Sequence, residues 1–366
     1  MSFNEFLGNE RIVSALRGML HRGRMPSGLL FTGPRGIGKF TLARMFAQAA
    51  NCLHLAGDFC GKCENCIRIA LLADPAPLIE RGLAERGESA DAAAVERSPL
   101  IIETHPDVWL IVPDPVRLRN PVARPLLRVG QLRAVQRAAY FLPQARRRVF
   151  ILDGADTMRW NDADVFLKIL EEPPETATLV LLAESPDSLL PTIRSRCLQF
   201  HFAPVPFEPI EAFLAQQIDA KPKDRKLAAQ LSGGSPGVAL SIDLAESVRL
   251  RRSLLSWLEK AAKGENFAEI FAASAQIAKQ EKESFENILD LLYSFLTDLL
   301  ESSYSSKPSM LRNPDLGPEI ASLSKRTRWE WILEAVGKLD QVESRLRRNI
   351  NRQLALDAYA SSLNEL

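Results

Sequence analysis

The sequence predicts an α/β domain built on a mainly parallel sheet, followed by an all-helical second half. Three observations carry that expectation. An apolar run at Gly28–Thr32 leads into a glycine-rich stretch, Gly33–Lys39, and then into a helical pattern from Phe40 to Ala50. Strand-like apolar runs and helical stripes then alternate from Val108 to Ala183. Beyond Ser247 the apolar residues recur at helical spacing. At 366 residues the chain exceeds one ordinary core and suits two or three domains.

The elements follow in order. A helix is expected over Glu10–His21, with Ile12, Val13, Leu16 and Leu20 on one face, and a short strand over Gly28–Thr32. Residues 74–104 are rich in Ala, Glu, Arg and Pro with little apolar periodicity, and read as a solvated surface insertion without a site. Strands are expected at Val108–Val112, Val149–Leu152 and Thr178–Ala183, and helices near Val129–Tyr140 and over Asp162–Glu172. In the last helix Ala163, Phe166, Leu167 and Leu170 share a face, and Pro173-Pro174 ends it. Pro204-Val205-Pro206 reads as a hinge, and a short helical piece runs on to Glu246, interrupted by Ser232–Gly237. From Ser247 the pattern is helical to the end, with loops at Ser302–Pro318 and a stripe of Ile288, Leu291, Leu292, Phe295 and Leu299. The expected division is therefore 1–205, 206–246 and 247–366.

Composition narrows the function. Hydrophobic content of 46% and charge of 25% are those of a soluble globular protein. A formal net charge of +1 gives no global pull toward DNA, so any nucleic-acid contact is local or shared with partners. The N-terminal MSFNEFLGNE lacks a secretory pattern, and no apolar run is long enough to span a bilayer; a cytoplasmic protein without a membrane is expected.

Gly33-Pro34-Arg35-Gly36-Ile37-Gly38-Lys39 fits G-x-x-x-x-G-K between a strand and a helix, the setting of a phosphate-binding loop. Gly33, Gly36 and Gly38 would let backbone N–H groups approach phosphates, and Lys39 would reach the β and γ oxygens of ATP. Phe40, however, stands where a Ser or Thr hydroxyl would hold Mg2+. Thr41 comes one position late, rotated by roughly 100° on an ideal helix. The loop suits ATP, but it places Mg2+ badly.

Asp153 ends an apolar strand and is the expected carboxylate partner of Mg2+. The next residue, where a glutamate would polarise the attacking water, is Gly154. Asp156 belongs to the following turn and is expected to point away. Hydrolysis at this chain's own loop is not expected, although the sequence leaves open a rescue by Asp156 or Glu184.

Cys52, Cys60, Cys63 and Cys66 have the spacing C-x7-C-x2-C-x2-C. Four thiolates in so short a span suit tetrahedral Zn2+, and a closed shell of four leaves no position for catalysis. Cys197 stands apart and reads as a packed core thiol. A lone arginine such as Arg196 usually signifies only a solvated charge.

Its setting changes that reading. The glycine loop, the four-cysteine knuckle, His105-Pro106-Asp107, the run LKILEEPP from Leu167 to Pro174, and Ser195-Arg196-Cys197 come in one order. That order resembles the clamp-loader subunits of bacterial DNA polymerase III, members of the AAA+ superfamily. The likeness covers about the first 245 residues closely and the tail more loosely, where Asn351–Leu356 resembles the family's closing collar helix. It implies an AAA+ P-loop domain with a zinc knuckle, a small helical lid over 206–246 and an all-α collar over 247–366.

Two members share this layout: the ATP-hydrolysing tau/gamma subunit and delta-prime. Phe40, Gly154, the atypical Glu184-Ser185 and Gly237, where the lid should carry a sensor arginine, resemble delta-prime. The resemblance then implies an accessory subunit without catalysis of its own. Arg196 would act as an arginine finger on ATP bound to the adjacent subunit. The implied partners are tau/gamma and delta subunits in a hetero-pentamer, the sliding clamp and, through the assembly, primed DNA in replication. Two other readings stay open: an active tau/gamma-like ATPase and a zinc-dependent nucleic-acid-binding module. The lack of interleaved basic and aromatic residues speaks against the latter.

Overall fold

In the computed structural model of the chain, the described residues are 2–86, 92–114, 125–159, 163–172, 174–264, 266–279, 285–304, 311–346 and 351–364. They form two compact units, Met1–Phe213 with Gly234–Val238, and Leu214–Gly233 with Ala239–Leu366. The segment 206–246 is thus shared between the two units.

The first unit is an α/β domain. Its elements are α1 (Glu10–Arg22), β1 (Gly28–Thr32), α2 (Lys39–Asn51), α3 (Glu64–Ala70), α4 (Ala76–Arg86), α5 (Ala92–Arg97), β2 (Ile102–His105), β3 (Val108–Ile111), α6 (Val129–Ala139), β4 (Arg148–Asp153), α7 (Ala163–Glu171), β5 (Ala177–Ala183), α8 (Pro191–Arg194) and β6 (Leu198–His201). The sheet order is β2-β3-β4-β5-β1-β6, with β2 antiparallel to β3 and every other pair parallel. Strands β1 and β5 are interior strands, paired on both sides, and are buried along their whole length. That burial explains why they read as unbroken apolar runs rather than alternating ones.

Helix α7 lays Phe166, Ile169 and Leu170 onto the sheet and leaves Leu167 half-buried. The side chain of Ala163 and the whole of Asp162 and Pro173, named in the expected helix and its stop, lie outside the described residues.

Residues 74–104, expected as a solvated surface insertion with little periodicity, contain regular elements. They hold α4, α5 and the edge strand β2, with 87–91 outside the described residues. Ala, Glu, Arg and Leu are strong helix formers. The missing apolar stripe marks an exposed helix, not the absence of one, and none of α4 is buried. Its last residue, Arg86, nevertheless clamps Asp114 with Nη1 at 3.0 and 2.8 Å from the two carboxylate oxygens, in a nearly solvent-free pair.

The second unit is helical. It contains α10 (Pro222–Leu231), α12 (Leu244–Lys263), α13 (Phe267–Ala278), α14 (Phe285–Tyr304), α15 (Gly317–Ser324), α16 (Trp329–Leu346) and α17 (Arg352–Leu363), while α9 (Phe207–Gln217) and α11 (Pro236–Ser241) cross the division. Ile288, Leu292, Phe295 and Leu299 of the expected stripe are fully buried in its core, and Leu291 packs against it half-buried. The expected loop at Ser302–Pro318 begins later, because α14 runs to Tyr304, and ends earlier, because α15 starts at Gly317. Among the described residues no helix is long and apolar enough to cross a membrane.

Candidate functional site

Between β1 and α2 the chain turns through three left-handed glycines, Gly33 (φ +145°), Gly36 (φ +74°) and Gly38 (φ +102°). These are conformations that a side chain would strain. Gly36 is also crowded: a Cβ there would stand 2.8 Å from the Val238 backbone nitrogen. The Gly237 N–H donates to the Gly36 carbonyl at 2.8 Å, so segment 234–238 lies directly on the loop. Any side chain at 237 would meet that carbonyl at 2.9 Å. The ring of Phe6 comes from the other direction, 3.0 Å from where a Cβ on Gly38 would be.

Lys39 opens α2, and its ammonium donates to the carbonyls of Gly33 at 2.5 Å and Pro34 at 2.9 Å. Burial pushes its pKa down, while Glu184, Asp153 and Asp156 pull it back up. The charges of three carboxylates therefore act on this lysine. Burial raises the Asp153 carboxyl, against the pull of Lys39 and the Gly154 N–H. Phe40 is half-buried, and Thr41 faces solvent one position further round.

Asp156 does not point away, as the sequence suggested. The left-handed Gly154 (φ +74°) starts a 3-10 turn over Ala155–Thr157 that carries Asp156 back toward Lys39 and the Glu184 N–H. Gly154 itself has no room for a side chain, since a Cβ would lie 2.8 Å from Pro113 Cγ. Position 154 is thus closed to a side chain by backbone conformation as well as by crowding.

Arg196 occupies a different corner, after α8 and before β6. Its Nη2 donates to Glu171 Oε1 at 2.7 Å and its Nη1 to the Thr192 carbonyl at 2.9 Å. The side chain stays 34% exposed. Arg194 is instead paired with Asp187 at 2.6 Å. Cys197 is buried, as expected of a core thiol, and burial pushes its pKa up to about 12.

The Sγ atoms of Cys52, Cys60, Cys63 and Cys66 all lie within 4.8 Å of one another. Cys52 follows the last residue of α2, so 13 helical residues, or about 20 Å of rise, separate the cluster from the phosphate-type loop. Backbone N–H groups already point at the sulfurs: Leu55 and Cys60 at Cys52 (3.4 Å each), and Cys63 at Cys60 (3.3 Å). The N–H groups of Lys62 and Cys63 lower the Cys60 pKa to about 6, whereas burial raises that of Cys66. Four convergent thiols with N–H donors on the sulfurs fit a thiophilic ion such as Zn2+. The knuckle is tied to the domain by buried Asn51, whose Oδ1 accepts from the Arg146 and Arg147 N–H groups at 3.2 and 3.0 Å.

The structure thus gathers Gly33, Gly36, Gly38, Lys39 and Asp153, clusters the four cysteines, and sets Arg196 apart. Sequence reasoning missed the closure of the loop by Phe6, Gly237 and Val238, and the partner of Arg196. Glu171 lay inside a motif already singled out, but nothing in the spacing links positions 171 and 196.

Comparisons with known proteins bear on the whole chain. The family model described as DNA polymerase III, delta subunit, matches residues 8–206, and the one described as DNA polymerase III, delta subunit, C terminal, matches 245–361. The DNA polymerase III subunit delta-prime of Bacillus subtilis is 25% identical over 97% of this chain and 96% of its own length. The DNA polymerase III subunit gamma/tau of Mycobacterium tuberculosis is 31% identical over 66% of this chain, which spans only 36% of that protein. A solved structure of a DNA polymerase III gamma subunit-related protein from Thermotoga maritima aligns over 96% of this chain and 98% of its own at 18% identity, with a TM-score of 0.40.

Proposed function

Because the chain belongs to the DNA polymerase III, delta subunit, family, we propose that it is the delta-prime-like subunit of the polymerase's clamp loader, which hydrolyses no ATP itself and lends Arg196 to the ATP site of the neighbouring subunit. The observation that carries this reading is the contrast between its two polar ends. The loop's Lys39 is bonded to its own carbonyls and Gly36 is covered by Gly237, whereas Arg196 remains at the surface. A planar guanidinium there can neutralise charge that develops on a transferred phosphoryl group.

On this reading the neighbours are tau/gamma and delta subunits in a hetero-pentamer that loads the sliding clamp onto primed DNA in the cytoplasm. The helical collar, 247–366, holds the chain in that assembly, and the segment 206–246 serves as the lid. Cys52, Cys60, Cys63 and Cys66 hold a structural Zn2+, which cross-links the turn between α2 and α3. ATP, if it enters the loop, meets no hydroxyl at Phe40 for Mg2+ and no carboxylate at Gly154 for water.

One observation favours the alternative of an active subunit: Asp156 lies in the field of Lys39. A single comparison separates the two readings. The isolated chain with ATP and primed DNA should show negligible turnover, and adding it to its native neighbours should raise theirs. Turnover by the isolated chain that disappears in Lys39→Ala would establish the active ATPase instead.

A further inference from the structure

We propose that Glu171 is the positioning residue for Arg196, holding its guanidinium in the orientation from which it meets a polyphosphate bound to the adjacent subunit. This rests on the arginine-finger reading and adds to it the group that aims the finger.

The backbone of the corner is fixed first. Cys197 is buried against β1, so closely that a Cβ on Gly28 would lie 2.9 Å from its Sγ, 3.0 Å from Leu170 Cδ2 and 3.3 Å from the Arg196 carbonyl. The Arg196 N–H also donates to the Ile193 carbonyl at 3.1 Å, which ties it to α8. These contacts place the Cα of Arg196 but leave a long side chain with several rotatable bonds. Two acceptors on different elements then fix its far end. Glu171 Oε1, at the close of α7, takes Nη2 at 2.7 Å, and the Thr192 carbonyl of α8 takes Nη1 at 2.9 Å. Two anchors on the two terminal nitrogens set the plane of the fork. The Thr192 carbonyl also accepts from Ser195 Oγ at 3.1 Å, whereas Glu171 is not called on by the neighbouring arginine, because Arg194 finds its own carboxylate in Asp187.

The energetics favour orientation over stability. With 34% and 48% of their side chains exposed, Arg196 and Glu171 form a surface pair, and such pairs add little to folding. A freely rotating arginine, by contrast, would have to lose its rotamer freedom at the moment of phosphoryl transfer. A fork already held in plane has lost it beforehand. Glu171→Ala should therefore act on turnover and not on the fold.

The test uses the reconstituted complex of this chain with its native clamp-loader neighbours, read as kcat and KM for ATP in the presence of primed DNA. Glu171→Ala should lower kcat by about two- to fivefold, the range of a surface ion pair's worth of orientation. KM for ATP should stay within about twofold, and the melting temperature of the free chain should not change. Glu171→Gln keeps an oxygen acceptor for Nη2 and should recover most of the loss. In an Arg196→Ala background Glu171→Ala should have no further effect, because the two act as one unit. A full effect of Glu171→Ala in that background overturns the proposal, as does unchanged or raised turnover in an otherwise native chain. In the latter case a large loss from Arg196→Ala would leave the finger reading standing. Silence of Arg196→Ala itself would remove both.

Discussion

Strands β1 and β6 are neighbours in one sheet, yet the polar groups beside them are disposed in opposite ways. After β1, the Lys39 ammonium is consumed by the Gly33 and Pro34 carbonyls, and Gly237 and Phe6 close on the loop. Before β6, the Arg196 guanidinium is braced from behind by Glu171 and Thr192 and stays open to solvent. A cation satisfied by its own backbone has little left to offer a ligand. A cation braced at the surface keeps donors for one. Both corners contain family-type wording, so wording alone does not distinguish a site that works on its own ligand from one that works on a neighbour's.

The sharpest way to break this contrast is Arg196→Ala in the reconstituted complex. A finger supplied in trans is worth on the order of 10³–10⁵ in rate at one site. On the proposed reading, the loss measured for the whole assembly should be smaller, because only one of several sites would border this subunit. Arg196→Lys should be nearly as damaging, since an ammonium lacks the planar fork. Arg194→Ala, which frees only Asp187, should cost far less. Equal defects at 194 and 196 would mean that the corner serves local packing.

The knuckle offers a control that separates stability from trans activity. Cys63→Ser should lower bound zinc from about one per chain and destabilise the fold by on the order of several kcal/mol, because metal binding in such a cluster is folding free energy. Chain that still assembles should retain the effect of Arg196, since the cluster stands at the far end of α2 from the loop. Metal analysis with thermal melting checks the first part, and ATP turnover the second. Zinc-free chain of unaltered stability would remove the metal from the account.

Much of this molecule was legible in its sequence. Strands β1, β4 and β5 were, because full burial leaves runs such as GLLFT and RVFIL with no polar residue to blur them except at their ends. So were α1, whose expected apolar face of Ile12, Val13, Leu16 and Leu20 is buried, and the cysteine cluster. Helix α4 was not, since an exposed helix needs propensity but no stripe. The return of Asp156 was hidden because it depends on the φ of Gly154, a backbone sign that no spacing reports. The contacts between Gly36 and Gly237 and between Glu171 and Arg196 join distant positions, and only the fold brings them together.

Gly154→Glu tests whether a missing carboxylate alone accounts for the proposed lack of hydrolysis at the loop. A glutamate there must adopt a left-handed φ and displace Pro113, 2.8 Å from its Cβ. The expected result is a loss of about 1–3 kcal/mol in urea denaturation and no ATP turnover by the isolated chain. A stable variant that gains turnover would show that the loop is ready to bind and lacks only its base.

The smallest effect is expected at Asp156. Burial pushes its carboxyl above the ordinary aspartate range, with the Glu184 charge adding to the rise and Lys39 opposing it. An acid raised in the folded state is held there preferentially in its protonated form. Its contribution therefore favours the fold below the ordinary aspartate value near 3.9 and is lost as pH rises through the folded value. At pH 7 the ionised group weighs against folding, so Asp156→Asn should raise the melting temperature slightly. Near pH 3, where both states carry a neutral side chain at this position, the gain should vanish. Melting curves of the two chains at both pH values decide it, because carboxylates away from the loop titrate alike in each and cancel in the difference, and relief of Asp153 from the Asp156 charge is part of the gain. A fall at pH 7 would mean that the charge of Asp156 is needed to hold Lys39 in place. The loop would then be kept ready for a ligand, and its contrast with the Arg196 corner would narrow.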